Sequence, residues 1–194
     1  MPGFSPYRSG ETRGFGDPQL VPSLNWSGTT HHTSASLGVV VPAGQYSEDK
    51  LINLSRNYWA FDPSISHTYL DQRGRELSFT AGLLFNLENP DSDYTTGEEF
   101  HLDAMLAQHF SETFAIGVTG YWYEQLTDDD GDVPAILGVG EGFRGNGVGL
   151  GPAIMKTLRF CRNDVTFIGK WLNDLDAENR MDGDLVMISF ALKL

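Results

Sequence analysis

Six polar or aromatic residues have the types and the spacing to contact a small aromatic solute that carries one polar group. They are Asn86, His101, Asp103, Tyr121, Tyr123 and Lys170. Tyrosine rings pack edge-to-face or offset against an aromatic ring, while imidazole and amide groups hydrogen-bond a hydroxyl. If strands carry these residues, the two-residue spacings within the set place neighbours on one face. These six are our candidates for solute contact.

Their clustering depends on how the strands pair. We expect Asn86 to lie opposite His101. Across a tight turn at residues 111–112, we expect His101 opposite Tyr123 and Asp103 opposite Tyr121. Opposed residues are about 4.5–5.5 Å apart at Cβ, so these five would form one cluster. If the strands close into a membrane barrel, the cluster lies in the upper, extracellular half of its lumen. Such a cluster is either a hydrogen-bond network that ties the wall together or a constriction that selects solutes.

Catalysis and metal binding are weaker interpretations of the same residues. Asn86 and His101 suit a Ser-His-Asn arrangement, but Ser78 is about 26 Å along the strand from Asn86, and a nucleophile must contact its base. His101 and Asp103 supply two metal ligands, where a structural site has about four. The acidic run at 128–132 lacks the length and the terminal Glu of an EF-hand loop. We predict no enzyme activity, no metal and no cofactor.

The elements that carry these residues alternate with a period of two. Within residues 77–87, every second position from Leu77 onward is apolar, and the positions between are polar or small except Leu84. Such alternation is typical of a β-strand, because successive side chains point to opposite faces. An apolar face opposite a polar or small face, repeated at membrane-spanning length, predicts an all-β fold: an antiparallel transmembrane β-barrel of outer-membrane type.

Nine strands are predicted, and the connections between them alternate in length. The strands are placed at residues 18–26, 31–42, 64–71, 77–87, 99–110, 113–125, 147–158, 164–172 and 185–194. Turns of two to five residues alternate with loops of eleven to twenty-one, as short periplasmic turns alternate with long extracellular loops in outer-membrane barrels. Pro22 and Pro152 fall inside predicted strands and should mark bulges or edges.

Bacterial single-chain barrels have an even number of strands, so we expect strands to be missing at the N-terminus, with about twelve in all. Residues 1–16 are interpreted as an N-terminal loop segment without the apolar region of a signal peptide. Residues 17–194 are interpreted as the barrel domain, incomplete at its N-terminus. The single Cys161 excludes an internal disulfide and is expected in a short turn.

Composition agrees with a barrel wall. The chain has 22 Gly together with 7 Tyr, 12 Phe and 4 Trp, which suits a wall with aromatic girdles. Two such belts are expected, with Phe110, Phe114 and Phe160 at the short-turn end and Phe85, Phe100, Trp122 and Trp171 toward the long loops. The net charge of −13 argues against binding to nucleic acid or to an anionic membrane surface by charge.

Several motifs occur in the order and spacing of a known family. They are NYWAFDP at 57–63, ELSFTAGLLFNLENPDSDYTTGEEFHLD at 76–103, GVTGYWYEQLTDDDGD at 117–132 and DAENRMDGD at 176–184. Together they resemble the outer-membrane proteins named for the meta-cleavage (MetA) pathway of phenol degradation, from about Gly14 to Leu194. The resemblance implies an outer-membrane β-barrel of a Gram-negative bacterium, longer at its N-terminus, that passes aromatic or other apolar compounds.

Two functional hypotheses follow. The first is an outer-membrane channel or transporter for small aromatic or weakly polar compounds, with outer-membrane lipid and these solutes as its partners. The alternative is a non-transporting surface or structural protein whose acidic loops bind a partner. An open lumen favours the first hypothesis, and a packed or plugged lumen favours the second.

Overall fold

The chain forms one antiparallel β-sheet in a computed structural model that describes residues 12–47, 50, 53–131, 144–160, 163–180 and 182–193. The strands are β1 (Gln19–Leu20), β2 (Ser23–Ser27), β3 (His31–Val40), β4 (Ala60–Leu70), β5 (Arg75–Asn86), β6 (Glu99–Ser111), β7 (Phe114–Gln125), β8 (Asn146–Phe160), β9 (Asn163–Glu178) and β10 (Asp184–Lys193). From β3 onward each strand pairs with the next in the chain, while β1 and β2 both pair with β3. Ten segments therefore fill the nine predicted strand positions, which confirms the all-β prediction.

No helix within the described ranges is long and apolar enough to span a bilayer.

The curvature of the sheet is shown by side-chain contacts that cross an intervening strand. His101 on β6 reaches over β5 to Asp62 on β4, with 3.0 Å between Nε2 and Oδ1. Tyr121 on β7 reaches over β8 and donates a hydrogen bond to Asp174 on β9. Such contacts are favoured where the shared face is concave. This face is the inner wall of a curled sheet that forms part of a barrel.

Residue orientations follow the predicted alternation. The registers place the following apolar residues on the opposite, outer face: Phe79, Leu83, Phe114, Ile116, Val118, Phe167, Ile188 and Phe190. The following residues, all polar or aromatic, share the inner wall: Thr80, His101, Asp103, Thr119 and Tyr121. Exposure agrees, since Phe190 is 76% exposed and Thr119 only 4%. An apolar outer face and a polar inner face are what a membrane barrel needs.

Two strands are longer than predicted at the long-loop end. β4 begins at Ala60 rather than at residue 64. Pro63 interrupts the ladder between β4 and β5, but it does not end the strand. β9 continues to Glu178 rather than ending at 172, because a shift of register opposite Val148 and Gly149 lets its pairing with β8 resume. The link between β9 and β10 is therefore residues 179–183, not the predicted long loop of 173–184.

Both prolines interrupt the pairing of their strands, but only Pro22 lies at an edge of the sheet; the register between β8 and β9 is the same on both sides of Pro152, so Pro152 does not mark the predicted bulge. Pro22 separates β1 from β2, although its carbonyl still accepts a hydrogen bond from the Leu37 amide at 3.1 Å. Pro152 pairs with Val118 of β7, but the ladder from β8 to β9 skips Pro152 and its neighbour Gly151. Both interruptions follow from the amide hydrogen that proline lacks.

Pairs of hydroxyl groups join neighbouring strands along the lower and middle inner wall. Each pair is separated by 2.8–2.9 Å: Ser36–Ser64, Ser66–Thr80, Thr68–Ser78 and Thr157–Thr166. Nearer the short turns, His109 Nε2 lies 2.5 Å from Glu76 Oε2. We call the four hydroxyl pairs the hydroxyl ladder. Their mutual bonds satisfy polar groups that face inward.

The long-loop rim is held by polar contacts between segments. The Asp17 carboxylate accepts hydrogen bonds from the amides of Gly44 at 2.9 Å and Arg56 at 2.7 Å. The Tyr94 hydroxyl donates to Asp129, which ties the loop after β5 to the loop after β7. Each contact joins segments distant in sequence.

Some predictions fall outside the described residues. These are residues 1–11 of the predicted N-terminal loop segment, Asp132 of the acidic run, Cys161, Leu194 and the side chain of Phe160.

Candidate solute-contact site on the inner wall

Four of the six candidate residues line one concavity on the upper inner wall. His101, Asp103, Tyr121 and Tyr123 border an open space of about 650 Å³. The pairings of His101 with Tyr123 and of Asp103 with Tyr121 are as predicted. The opposite side of the concavity is formed by the upper ends of β9 and β10 and the link between them, including Leu172, Asp174, Arg180, Asp182, Leu185 and Met187.

Glycine lets the ring of Tyr121 lie against the wall. Gly149 faces Tyr121 on the neighbouring strand, and a Cβ at Gly149 would be 2.2 Å from Tyr121 Cε1. Any other residue at 149 would therefore push the ring into the lumen. The ring is held at its far end by the hydrogen bond from its hydroxyl to Asp174.

Arg180 covers the tyrosines from the lumen side. Its guanidinium carbon lies 4.6 Å from the centroid of the Tyr123 ring and 5.8 Å from that of Tyr121. A cation at these distances is attracted by the negative face of an aromatic ring. A Cβ at Gly147, opposite Tyr123, would lie 3.1 Å from the Arg180 side chain. The wall thus holds two tyrosine rings whose exposed faces already bind one planar cation.

His101 is seated over a glycine in the same way. A Cβ at Gly82 would be 2.3 Å from His101 Nε2, so glycine is needed for the ring to cross β5 and reach Asp62. Because an ionised Asp62 can only accept a hydrogen bond, Nε2 must carry the proton. His101 Nδ1 then points toward Asp103, whose Oδ2 is 3.9 Å away.

Asn86 lies apart from this group, contrary to the prediction. The register between β5 and β6 places Gly82 opposite His101, so Asn86 is displaced by four residues along β5. An even displacement keeps Asn86 on the inner wall, and for that reason alternation alone could not detect the error. The Asn86 amide nitrogen donates to Gly97 O at 3.0 Å and to Glu99 Oε1 at 3.1 Å, while its Oδ1 is buried without a partner.

Glu99 connects Asn86 to the concavity, because it also hydrogen-bonds the Tyr123 hydroxyl. Lys170 lies below the concavity, opposite Met187. Together with Asp103 and Thr119 it borders a smaller depression of about 110 Å³. The six candidates thus occupy three successive heights of one wall.

Comparison with known proteins identifies the family. A family model described as "Putative MetA-pathway of phenol degradation" matches residues 2–190. The chain belongs to this family. A search among curated proteins found no match.

The fold is that of a solved channel. The crystal structure of an outer membrane channel from Pseudomonas putida F1 superposes with a TM-score of 0.72 at 15% sequence identity, over 93% of this chain and 66% of that chain. The chain thus spans about two thirds of the length of that channel. With the family match, this likeness confirms the predicted β-barrel and its place in the outer membrane of a Gram-negative bacterium.

Several residues of the site were missed from the sequence. Asp62 was placed in a loop because β4 was started too late, and Asp174 because β9 was ended too early. Arg180 belongs to a link where no strand pattern applies. A usable signal was present, since Gly82 and Gly149 interrupt the inner faces of strong strands where an aromatic or imidazole ring on the neighbouring strand needs space.

Proposed function

We propose that this protein is an outer-membrane channel for small aromatic or other weakly polar compounds, linked to phenol-type catabolism. The supporting observation is the pair of tyrosine rings on the upper inner wall, held against the strands and capped by the Arg180 guanidinium at 4.6 Å from Tyr123. A surface that already holds a planar, delocalised cation offers an aromatic solute the same contact. The family description points to the same class of compound.

The polar neighbours suit a solute with one hydrogen-bonding group. His101 is fixed by Asp62, and the Asp103 side chain is 58% exposed beside it. A phenolic hydroxyl near this point can donate to Asp103 while its ring lies over Tyr121 or Tyr123 in place of Arg180. Binding must be weak, because a channel needs its solute to leave as readily as it enters.

The test compares two glucosides of equal size that cross a bilayer poorly, phenyl glucoside and cyclohexyl glucoside. Full-length protein is reconstituted in liposomes, and swelling rates are measured for both. We expect the phenyl compound to enter faster. Tyr121→Ala should lower the ratio of the two rates roughly two- to tenfold, since an aromatic pair contributes about 0.5–1.5 kcal/mol beyond its buried area.

The outcome separates this proposal from a wall of purely structural residues. Variants are compared only if their melting temperature matches that of the natural protein. If the ratio of the two swelling rates stays constant in both Tyr121→Ala and Asp103→Ala, these residues are structural and do not select solutes. Absence of swelling with either glucoside would favour the alternative, a surface protein with partner-binding loops.

A further inference from the structure

The outer face carries a polar cluster where an apolar surface is expected. His31 Nδ1 lies 3.2 Å from His67 Nε2, and Thr33 Oγ1 lies 2.8 Å from His67 Nδ1. The registers pair His31 with Tyr69, and His67 with Phe79, on the outer face. We call His31, Thr33, His67 and Tyr69 the outer histidine cluster.

The surroundings of this cluster face lipid. Trp26, which pairs with Thr33, is 56% exposed, and Leu77 beside Tyr69 is 46% exposed. Outer-face side chains near the rim of an outer-membrane barrel contact lipid headgroups and the first acyl carbons, so a polar cluster there can hydrogen-bond a lipid. The occupant of this surface is therefore a lipid.

The height of the cluster on the barrel indicates which part of a lipid it contacts. His31 is the first residue of β3, and His67 lies three residues before the end of β4, about 10 Å from the short-turn rim at ~3.3 Å per residue. This is the level of the headgroups and the first acyl carbons, where Trp and Tyr also collect. Since short turns are periplasmic in outer-membrane barrels, the leaflet is the periplasmic one.

The hydrogen bonds within the cluster leave one ring nitrogen outside them. Three of the four ring nitrogens are used within the cluster. When Thr33 donates to His67 Nδ1 and His67 Nε2 donates to His31 Nδ1, the remaining nitrogen, His31 Nε2, must carry a proton. A hydrogen-bond acceptor at His31 Nε2 favours this arrangement over the one in which donors and acceptors within the cluster are exchanged.

Charge at the adjacent rim favours an anionic acceptor. Arg75 follows the turn after β4; its side chain is 63% exposed and bonds Asp71 at 2.6 Å. A guanidinium has five N–H donors, and the bond to Asp71 leaves others available. Arg73 lies exposed in the same turn. A phosphate oxygen is the lipid group that matches an imidazole N–H near a turn that carries two arginines.

We propose that the outer histidine cluster, with Arg73 and Arg75, binds the phosphate group of a phospholipid in the periplasmic leaflet. The cluster lies on the outer face of the sheet, whereas the candidate solute site lies on the inner wall. The proposal therefore does not depend on what the channel passes.

Lipid retention on the full-length protein tests this proposal. Detergent-solubilised protein is mixed with phosphatidylglycerol or with a galactosyl diacylglycerol of the same acyl chains, which has no phosphate. Native mass spectrometry then measures the lipid that remains bound. We expect phosphatidylglycerol to be retained preferentially, and the double variant His31→Leu with His67→Leu to retain about tenfold less, because a hydrogen bond to a charged group is lost.

The chain offers a matched control in His32. It is adjacent to His31 but lies on the inner wall, so His32→Leu should leave retention unchanged. Arg73→Gln, an exposed change that leaves the strands intact, should lower retention without altering heat-modifiable mobility on gels. Inorganic phosphate in excess should not displace the lipid.

Three results would overturn the proposal. The first is equal retention of the two lipids, and the second is equal loss in the His32→Leu protein. The third is a double variant that keeps its lipid and instead changes oligomeric mass in the same spectra, which would assign the outer histidine cluster to contact with a second copy.

Discussion

Glycine has a specific role in this wall, which is to receive rings from the next strand. Gly82 lies under His101 and Gly149 under Tyr121, each with no room for a Cβ. Rings that lie along the wall occupy less of the lumen than rings that stand away from it. The width of the proposed channel at the level of the site therefore depends on two residues that have no side chain.

Gly149→Ala should narrow the channel at Tyr121. The new Cβ would lie 2.2 Å from Tyr121 Cε1, so the ring must swing inward and lose its hydrogen bond to Asp174. We expect lower single-channel conductance and a loss of stability of about 1–3 kcal/mol, as for other overpacked sites.

Gly169→Ala is the control for this change. Its Cβ would meet only Ile154 at 3.4 Å, which is an ordinary contact on the outer face. Conductance and stability should match those of the natural protein. Equal conductance in the Gly149 and Gly169 variants would mean that the Tyr121 ring does not limit the pore.

At the level of single residues, the sequence predicts contacts well only where a turn fixes the register. His101 and Tyr123 flank a turn whose shortness permits few pairings, and their pairing was predicted. Asn86 and His101 flank the loop of residues 87–98. Registers that differ by two or four residues keep every side chain on its face, so only the folded loop decides between them.

At the level of elements, the segment before β1 is attached to the first long loop through Asp17. Burial alone would raise the pKa of the Asp17 carboxyl, but the hydrogen bonds that it accepts from Ser55 and from the amides of Arg56, Gly44 and Ala43 hold the pKa below its usual value. The folded carboxyl therefore stays ionised to a lower pH than the unfolded one.

This attachment should be lost in acid. Because the pKa is lower in the folded state, the contribution of Asp17 is complete above the unfolded value of about 3.9 and declines as the pH falls through the lower, folded value. We expect the amides of Gly44 and Arg56 to lose protection from hydrogen exchange in that range. Asp17→Asn should reduce their protection already at neutral pH.

Asp128→Asn provides the comparison, because Asp128 forms an exposed ion pair with Arg144 at the same rim. It should leave the exchange at Gly44 and Arg56 unchanged. If Asp17→Asn behaves like Asp128→Asn, the attachment does not depend on the Asp17 carboxylate.

Strand ends were less predictable than strand centres. The middle of β4 and the middle of β9 fall within predicted strands, but the upper part of each contains an interruption, Pro63 in β4 and the shift of register in β9. Pairing with a neighbour carries each strand past its interruption. That neighbour is known only once the sheet is assembled.

At the scale of the whole molecule, the upper inner wall is acidic. Asp103, Asp174 and Asp182 border the concavity, and Asp62 and Glu99 lie beside it, against the cations Arg180, Arg56 and Lys170. Carboxylates in a confined lumen raise the local concentration of cations. We predict that the channel prefers potassium to chloride.

The preference is measured as a reversal potential across a planar bilayer in a gradient of potassium chloride. Replacing Asp103 and Asp182 together by Asn should move the permeability ratio toward one, because both carboxylates border the concavity. Glu88→Gln, in the loop after β5, should leave the permeability ratio unchanged. A ratio that favours chloride in the natural protein would contradict the prediction.

The barrel class follows from a pattern spread over the whole chain, which explains why its prediction was robust. Alternation, girdle residues and short turns each repeat several times, so an error in one strand leaves the class unchanged. The site depends on single events, such as the long reach of His101 over Gly82 or the position of Arg180 above two rings. These events have no repeat that could confirm them in advance.

The hydroxyl ladder bears on how fast a solute moves once it has passed the upper wall. Each hydroxyl of the ladder already has a partner on the next strand, so one of the two hydroxyl hydrogens of each pair is in use and the pair holds a solute less strongly than two free hydroxyls would. The lower wall is then polar enough to stay hydrated but has few free hydrogen-bonding groups that could hold a solute. In the proposed channel, we therefore expect contact with the tyrosines, rather than with the lower wall, to set how long a solute stays inside.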